Sequence, residues 1–257
     1  ATVYPVQVSD WHECAQHGRV LAQDFAAARN ESFTHLRRDL DWWMWIDSDD
    51  VVEGAEHLKD LLAAVPASCM GFWLPYEYGR TNGVVNTVFD RERLLRSSVG
   101  WAWRYRIHEV AVPMTEGLGY LRTERVKVIH QEGVHKGQSS ATRNLLCLEI
   151  DYETDPNDAR TLFYLGNQYF ALAKWPEAVH WYERLQEVGK NPYELWQASC
   201  YLSHAYEQLK DLNGATMAAF AALDYKPEYP EPYFRLAAIA MLAGENDKAE
   251  FWTKMGR

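Results

Sequence analysis

Hydrophobic and polar positions follow two different rhythms on either side of residue 150. Before it, short runs rich in aromatic and β-branched residues alternate with stretches whose apolar positions recur at three- and four-residue spacing. Val3–Val8, Trp42–Asp47, Met70–Tyr78, Val84–Phe89 and Val126–His130 predict strands, and Asp24–Arg38 and Gly54–Val65 predict helices. That mixture predicts an α/β unit, with a parallel-type strand at Trp42–Asp47 and antiparallel pairs further on. After it the strand rhythm stops and the chain reads as helical hairpins. The change predicts a first unit over residues 1–138 and a second over 139–257.

The hairpins repeat. Gly166, Ser203 and Ala237 occupy equivalent small-residue positions, 37 and 34 residues apart, and Ala178, Ala215 and Ala249 repeat the same spacing. Tyr169 and Tyr206 each follow the first small position by three residues, and Pro227 falls where a unit of this length ends. Three extra residues near Lys190–Tyr193 fit a longer loop. The pattern resembles the tetratricopeptide repeat, in which small residues let two antiparallel helices approach closely. A generic helical bundle is the alternative. Either way the segment suggests a scaffold, a partner groove or self-association, and carries no chemistry of its own.

The strongest chemical pattern sits in the first unit. Trp42-Trp43-Met44-Trp45-Ile46 is an apolar wall that ends in Asp47-Ser48-Asp49-Asp50. Such a run reads as a buried strand delivering carboxylates to a cleft at its carboxyl end. On extended backbone Asp47 and Asp49 point the same way, so they could share one hard divalent cation. The competing reading is that Asp49 and Asp50 cap a following helix and are simply solvated.

Composition narrows the classes. With 257 residues, 47% of them hydrophobic, the chain can bury a sizeable core in one or two domains. A formal charge of −10 argues against bulk nucleic-acid binding, though an anionic ligand met by a metal or local cations stays compatible. Cys14, Cys69, Cys147 and Cys200 are widely spaced, as free thiols in a reducing, cytoplasmic compartment would be. No apolar run is long enough for a membrane span, and no signal peptide is expected.

Four further segments gain meaning beside the acids. Asp24–Asn30 opens a helix and offers Arg29, a planar fork suited to phosphate or equally a surface arginine. Asp90–Arg96 is a basic turn that lines an anion or forms a solvated helix face. Gly100–Glu109 alternates aromatic and basic residues, then ends in His108-Glu109, where a carboxylate beside a cleft could act as general base or form a structural pair. In His130–Lys136 the histidine at a strand end is a possible metal ligand, Gly133 lets backbone approach a phosphate, and Lys136 can neutralise it.

Taken in order, Asp24-Phe25-Ala-Ala-Ala-Arg29-Asn30, Trp-Ile-Asp47-Ser-Asp49-Asp50 and Arg106-Ile-His108-Glu109 resemble glycosyltransferase family 2, the GT-A fold, in members carrying C-terminal tetratricopeptide repeats. The resemblance implies a metal-dependent glycosyltransferase moving a sugar from a nucleotide-diphosphate sugar, with inversion, to a protein, peptide or saccharide acceptor. It implies Mn²⁺ or Mg²⁺ held by Asp47 and Asp49, and a donor met by Arg29, Asn30 and Asp47. His130, Gly133 and Lys136 are similar to the H-x-x-G-x-x-K ending of some other GT-A enzymes, which implies that His130 completes the metal site and that Gly133 and Lys136 meet the diphosphate. Glu109 would be the general base, with Asp50 the weaker alternative. His108 would orient Glu109 or touch the metal, and Trp101 and Trp103 would wall the acceptor. The family's first strands, roughly fifty residues by βαβ length, have no counterpart here, so a partial GT-A unit is expected. The alternatives are a non-catalytic tetratricopeptide scaffold with a degenerate transferase unit and, more weakly, a hydrolase of phosphorylated substrates.

Overall fold

The computed structural model describes residues 13–14, 19–20, 24–37, 39–131 and 140–257. They divide into two compact units. One is built from the described residues between Asp24 and Gln131, the other from those between Ser140 and Arg257 together with a two-stranded ladder, β1 (Glu13–Cys14) and β2 (Arg19–Val20).

In the first unit Asp24 caps helix α1 (Phe25–Thr34) by accepting the Ala27 N–H at 2.8 Å. Strands β3 (Trp42–Met44), β4 (Asp50–Glu53), β5 (Cys69–Thr81), β6 (Val84–Arg96), β9 (Gly119–Arg122) and β10 (Lys127–His130) form one mixed sheet. Its order is β3-β6-β5-β10-β4, with β9 also pairing β5. A 3₁₀ turn (Ala55–His57) and helix α2 (Leu58–Ala63) connect β4 to β5, and β7 (Trp101–Arg104) pairs β8 (Val110–Pro113) separately.

Two apolar clusters hold this unit. Trp43, Trp45, Met70, Leu95, Trp101 and Trp103 pack with Ala26 and Phe33 of α1. Phe72, Leu74, Leu94, Val126 and Val128 pack with Leu58, Leu61 and Leu62 of the α2 segment. A sheet with apolar side chains in both clusters explains the continuous buried run at Glu92–Leu95, which strict alternation would not produce. A bulge also contributes: Phe72 faces Leu94 and Trp73 faces Glu92, leaving Arg93 as the extra residue.

The described residues correct several expectations. Strand β3 ends at Met44, although the Trp45 N–H still donates to the Arg93 carbonyl of β6 at 3.1 Å. It pairs antiparallel with β6, so the parallel-type strand expected before the acids is not formed; parallel pairs among the described residues are β5 with β9 and β5 with β10. Asp90–Arg96 is neither turn nor helix face but the second half of β6. Asp50 opens β4 instead of capping a helix. The expected strand at Val3–Val8 lies outside the described residues. Cys69 and Cys200 are free thiols, and the Cys14 side chain is not described. No helix among the described residues is long and apolar enough to cross a membrane.

The second unit contains α3 (Ser140–Thr154), α4 (Ala159–Ala171), α5 (Trp175–Val188), α6 (Pro192–Gln208), α7 (Leu212–Tyr225), α8 (Glu231–Leu242) and α9 (Asn246–Met255). The pairs α4–α5, α6–α7 and α8–α9 form three helical hairpins, and the first helices α4, α6 and α8 contact one another in succession. Each hairpin turns the same way. Ala173, Lys210 and Gly244 have φ of 55°, 66° and 77°, and Lys174, Asp211 and Glu245 donate back to Tyr169, Tyr206 and Ala240 at 3.0, 2.9 and 2.8 Å. This closes the free carbonyls at the helix end through a left-handed residue. The three positions recur at the 37- and 34-residue spacing of the small residues, so the repeat is one of backbone conformation as well as side-chain size.

Gly166 shows why the size matters, since a Cβ there would lie 2.4 Å from the buried Tyr182 ring. Gly166→Ala should destabilise the helical unit by about 1–3 kcal/mol through overpacking. Ala173→Gly and Lys210→Gly should each stabilise it by about 0.5–1 kcal/mol by relieving left-handed strain. Urea denaturation monitored by helical circular dichroism measures all three; a stabilised Gly166→Ala protein would refute the close-approach explanation.

Candidate functional site

Between β3 and β4, which stand at opposite edges of the sheet, Trp45–Asp49 carries the chain across and folds its acids into a turn. The Asp50 N–H donates to the Asp47 carbonyl, and the Asp47 N–H donates to Asp50 Oδ2, each at 3.0 Å. Turn backbone replaces the extended backbone that would have aligned Asp47 with Asp49, so the alternation argument for that pair does not hold.

Two arginines meet these carboxylates. Arg93, from the bulge, sits with its side chain 1% exposed, Nη2 3.1 Å from Asp50 Oδ2 and Nη1 3.5 Å from Asp47 Oδ2. Its guanidinium lies 3.8 Å from the Trp45 ring centroid and 4.4 Å from that of Tyr76. Arg29, from α1, donates from Nη2 to Asp47 Oδ1 at 2.6 Å and from Nε to Glu109 Oε1 at 2.7 Å. It also lies over Trp45 and Trp103, at 4.6 and 4.9 Å. The aromatic faces stabilise both cations where water is scarce. Burial pushes the Asp47 carboxyl up, but Arg29 and Arg93 outweigh it and hold the group below the ordinary carboxylate range.

Asp50 divides its oxygens between two sets of partners. Oδ2 faces Arg93 and the Asp47 N–H, while Oδ1 accepts the Tyr76 hydroxyl at 2.9 Å and lies 3.5 Å from His130 Nδ1. Burial and Asp50 keep the Tyr76 hydroxyl protonated far above its usual range. His130 Nδ1 is also 3.8 Å from Asp49 Oδ2, and its ring stacks on Tyr78 at 5.1 Å. The end of β10 is tied to the same turn, because the Gln131 N–H donates to the Asp49 carbonyl at 2.8 Å.

Asp49, Asp50 and His130 each offer a ligand atom, and these atoms lie within 4.8 Å of one another. Among the described residues His130 Nδ1 is buried and makes no hydrogen bond, an orphaned lone pair or proton directed at two carboxylates. At formal charge, the four carboxylates Asp47, Asp49, Asp50 and Glu109 against Arg29 and Arg93 leave two negative charges, what one divalent cation neutralises. Mixed carboxylate and imidazole donors suit Mn²⁺, and Mg²⁺ less well. The residues therefore fit a divalent cation, with Asp50 in the place expected for Asp47.

The other sequence candidates separate. Asn30 does not face the acids: its amide donates to the Trp103 carbonyl at 3.0 Å and accepts the Trp103 N–H at 2.8 Å, pinning β7 to α1. Trp101 and Trp103 are 9% and 3% exposed within the core, so they cannot wall an acceptor. Glu109 does reach the cluster, through Arg29. Its loop holds Tyr105 and His108 at φ 72° and 54°, left-handed backbone that non-glycine residues rarely adopt. Gly133 and Lys136 lie outside the described residues. Sequence reading missed Tyr76 as a member of the site and had Arg93 only within the basic segment Asp90–Arg96, without its partners Asp47 and Asp50.

No protein-family model matches the chain, and no curated protein matches it in sequence. Among solved structures it is similar to one titled "MamA MSR-1 C2", at 19% identity over 46% of this chain and 66% of that one, with a TM-score of 0.42. Two others, "Crystal structure of MamA" and "Crystal structure of MamA protein", give 20% identity over 45% and 46% of this chain, 66% and 62% of theirs, and TM-scores of 0.42 and 0.43. The chain thus spans just under two thirds of each of these three MamA chains, and a likeness this loose transfers no role. The structure itself supports a mixed-sheet α/β unit and a helical-repeat unit; neither it nor the comparisons adds support for the GT-A arrangement in particular.

Because the folded Asp47 carboxyl is depressed, its ion pairs contribute stability above the ordinary carboxylate range, and that stability is lost as pH falls through the folded value. Asp47→Asn should therefore be less stable than wild type at neutral pH, with the gap closing below about pH 4. Urea midpoints measured in pH steps check this; a gap independent of pH would show that the ion pairs contribute nothing.

Proposed function

We propose that the chain is a partner-binding protein whose helical unit serves as the scaffold. The observation that carries this reading is the in-register line of half-buried groups on successive first helices. Tyr164, Tyr201 and Arg235 occupy equivalent positions at the repeat spacing. Phe170 stacks on Tyr201 at 4.8 Å, and Arg235 pairs Glu207 and lies 3.2 Å from His204 Nδ1. Repeats of this kind expose an extended ridge of aromatic and charged groups, the chemistry that takes a protein segment. Affinity capture with the full chain should return a partner, or a second copy, that is lost from the double variant Tyr201→Ala, Arg235→Glu and retained by Asp47→Asn. Retention by the double variant would sink the reading.

One specific observation favours a second reading, a metal-dependent glycosyltransferase using a nucleotide-diphosphate sugar. Arg29, Asp47, Asp49 and Glu109, from the three stretches that resemble that family's motifs, meet in one cluster with His130. In this reading Asp49, Asp50 and His130 would hold Mn²⁺ or Mg²⁺, which supplies Lewis-acid charge neutralisation at a departing diphosphate. Glu109, fixed by Arg29, would accept a proton from the acceptor nucleophile. Asp47 orients Arg29 in place of binding the cation. Calorimetry with nucleoside diphosphates should then show binding that requires Mn²⁺ and disappears in Asp49→Ala, while Glu109→Gln keeps donor binding and loses turnover. Absence of nucleotide binding at saturating Mn²⁺ removes this reading and leaves the scaffold.

A further inference from the structure

We propose that Arg93 is the positioning residue of the cation site; this rests on the reading that Asp49, Asp50 and His130 bind a divalent cation. The argument begins with the bulge. An extra residue in β6 breaks the strict alternation of faces at position 93, and its side chain meets the Trp45–Asp50 turn. The long guanidinium is then immobilised between the Trp45 and Tyr76 rings, at 3.8 and 4.4 Å, with 1% of the side chain exposed. A buried cation fixed this firmly is a template for whichever carboxylates it meets.

What it meets is selective. Arg93 takes Asp50 Oδ2 and Asp47 Oδ2, and Arg29 takes Asp47 Oδ1. Asp47 is thereby occupied on both oxygens and removed from ligation. On Asp50, Oδ2 is taken by Arg93 and the Asp47 N–H, while Oδ1 accepts the Tyr76 hydroxyl and keeps a second lone pair on the side of His130 and Asp49. The same contact withdraws one negative charge from the pocket, so a cation meets a site that is not overloaded with carboxylates. Partners that orient ligands in this way change metal affinity by about 10–100-fold when removed. Arg93 touches the ligand Asp50 and not the cation, which is why its role is to position and not to bind. Lysine could not replace it, since an ammonium point charge cannot hold both carboxylates from between two rings.

The test uses the full chain and Mn²⁺ alone. Electron paramagnetic resonance of free and bound Mn²⁺ should give wild-type binding that weakens about 10–100-fold in Arg93→Ala and in Arg93→Lys. Millimolar guanidinium should restore affinity to Arg93→Ala but not to Arg93→Lys, a rescue that a merely structural role would not produce. Circular dichroism confirms that the variants fold, and Arg122→Met, which removes an exposed arginine paired with Asp90 and Glu124, should bind Mn²⁺ as wild type does. Wild-type protein that binds no Mn²⁺ overturns the cation reading itself. Wild-type binding that persists undiminished in Arg93→Ala, or a folded Arg93→Ala that guanidinium does not rescue, overturns only the role given to Arg93.

Discussion

The first unit depends on how one buried positive charge is satisfied. Arg93 lies inside a sheet otherwise lined with leucine, phenylalanine and tryptophan, where an unpaired cation would be costly. Its two carboxylate contacts and its two aromatic faces together offset part of that burial, and none of the four partners is local in sequence. Trp45, Asp47 and Asp50 come from the crossing segment and Tyr76 from β5. The guanidinium therefore ties the acidic turn to the middle of the sheet. Arg29 extends the same network outward to α1 and to the strained loop before Glu109.

That network also explains why acids so close in sequence have different tasks. Asp47 is consumed by arginines, Asp49 is the exposed member, and Asp50 is shared between a guanidinium and a candidate ligand set. A breaking pair in this network leaves a charge without its partner, so single substitutions there reach the fold and the site at once. The helical unit follows another logic. Its hairpins rest on small residues at close approach and on one left-handed residue per turn, local features that each repeat supplies for itself.

The two logics account for what was legible in the sequence. The helical repeat could be read directly, because small residues at Gly166, Ser203 and Ala237 mark contacts made within a unit or with its neighbour. The strands at Met70–Tyr78 and Val84–Phe89 were legible in their centres, but the continuation of β6 through Asp90–Arg96 was not. Charged residues there signal solvent unless their distant partners are known. Asn30, Trp101 and Trp103 were credited with ligand contacts because aromatic and amide groups near a charged motif are ambiguous between core and site. Burial resolved them as core.

The sequence by itself determined that the chain carries two units of different rhythm, that the second is a helical repeat, and that carboxylates gather after an apolar strand. Those properties follow from period, residue size and local backbone preference. Only the tertiary structure decided which carboxylates face a histidine, which face arginines, and that Arg93, at a bulge, meets them. Strand order and the side-chain direction at a bulge depend on pairings across the sheet between residues tens of positions apart, and spacing along a single chain does not encode them.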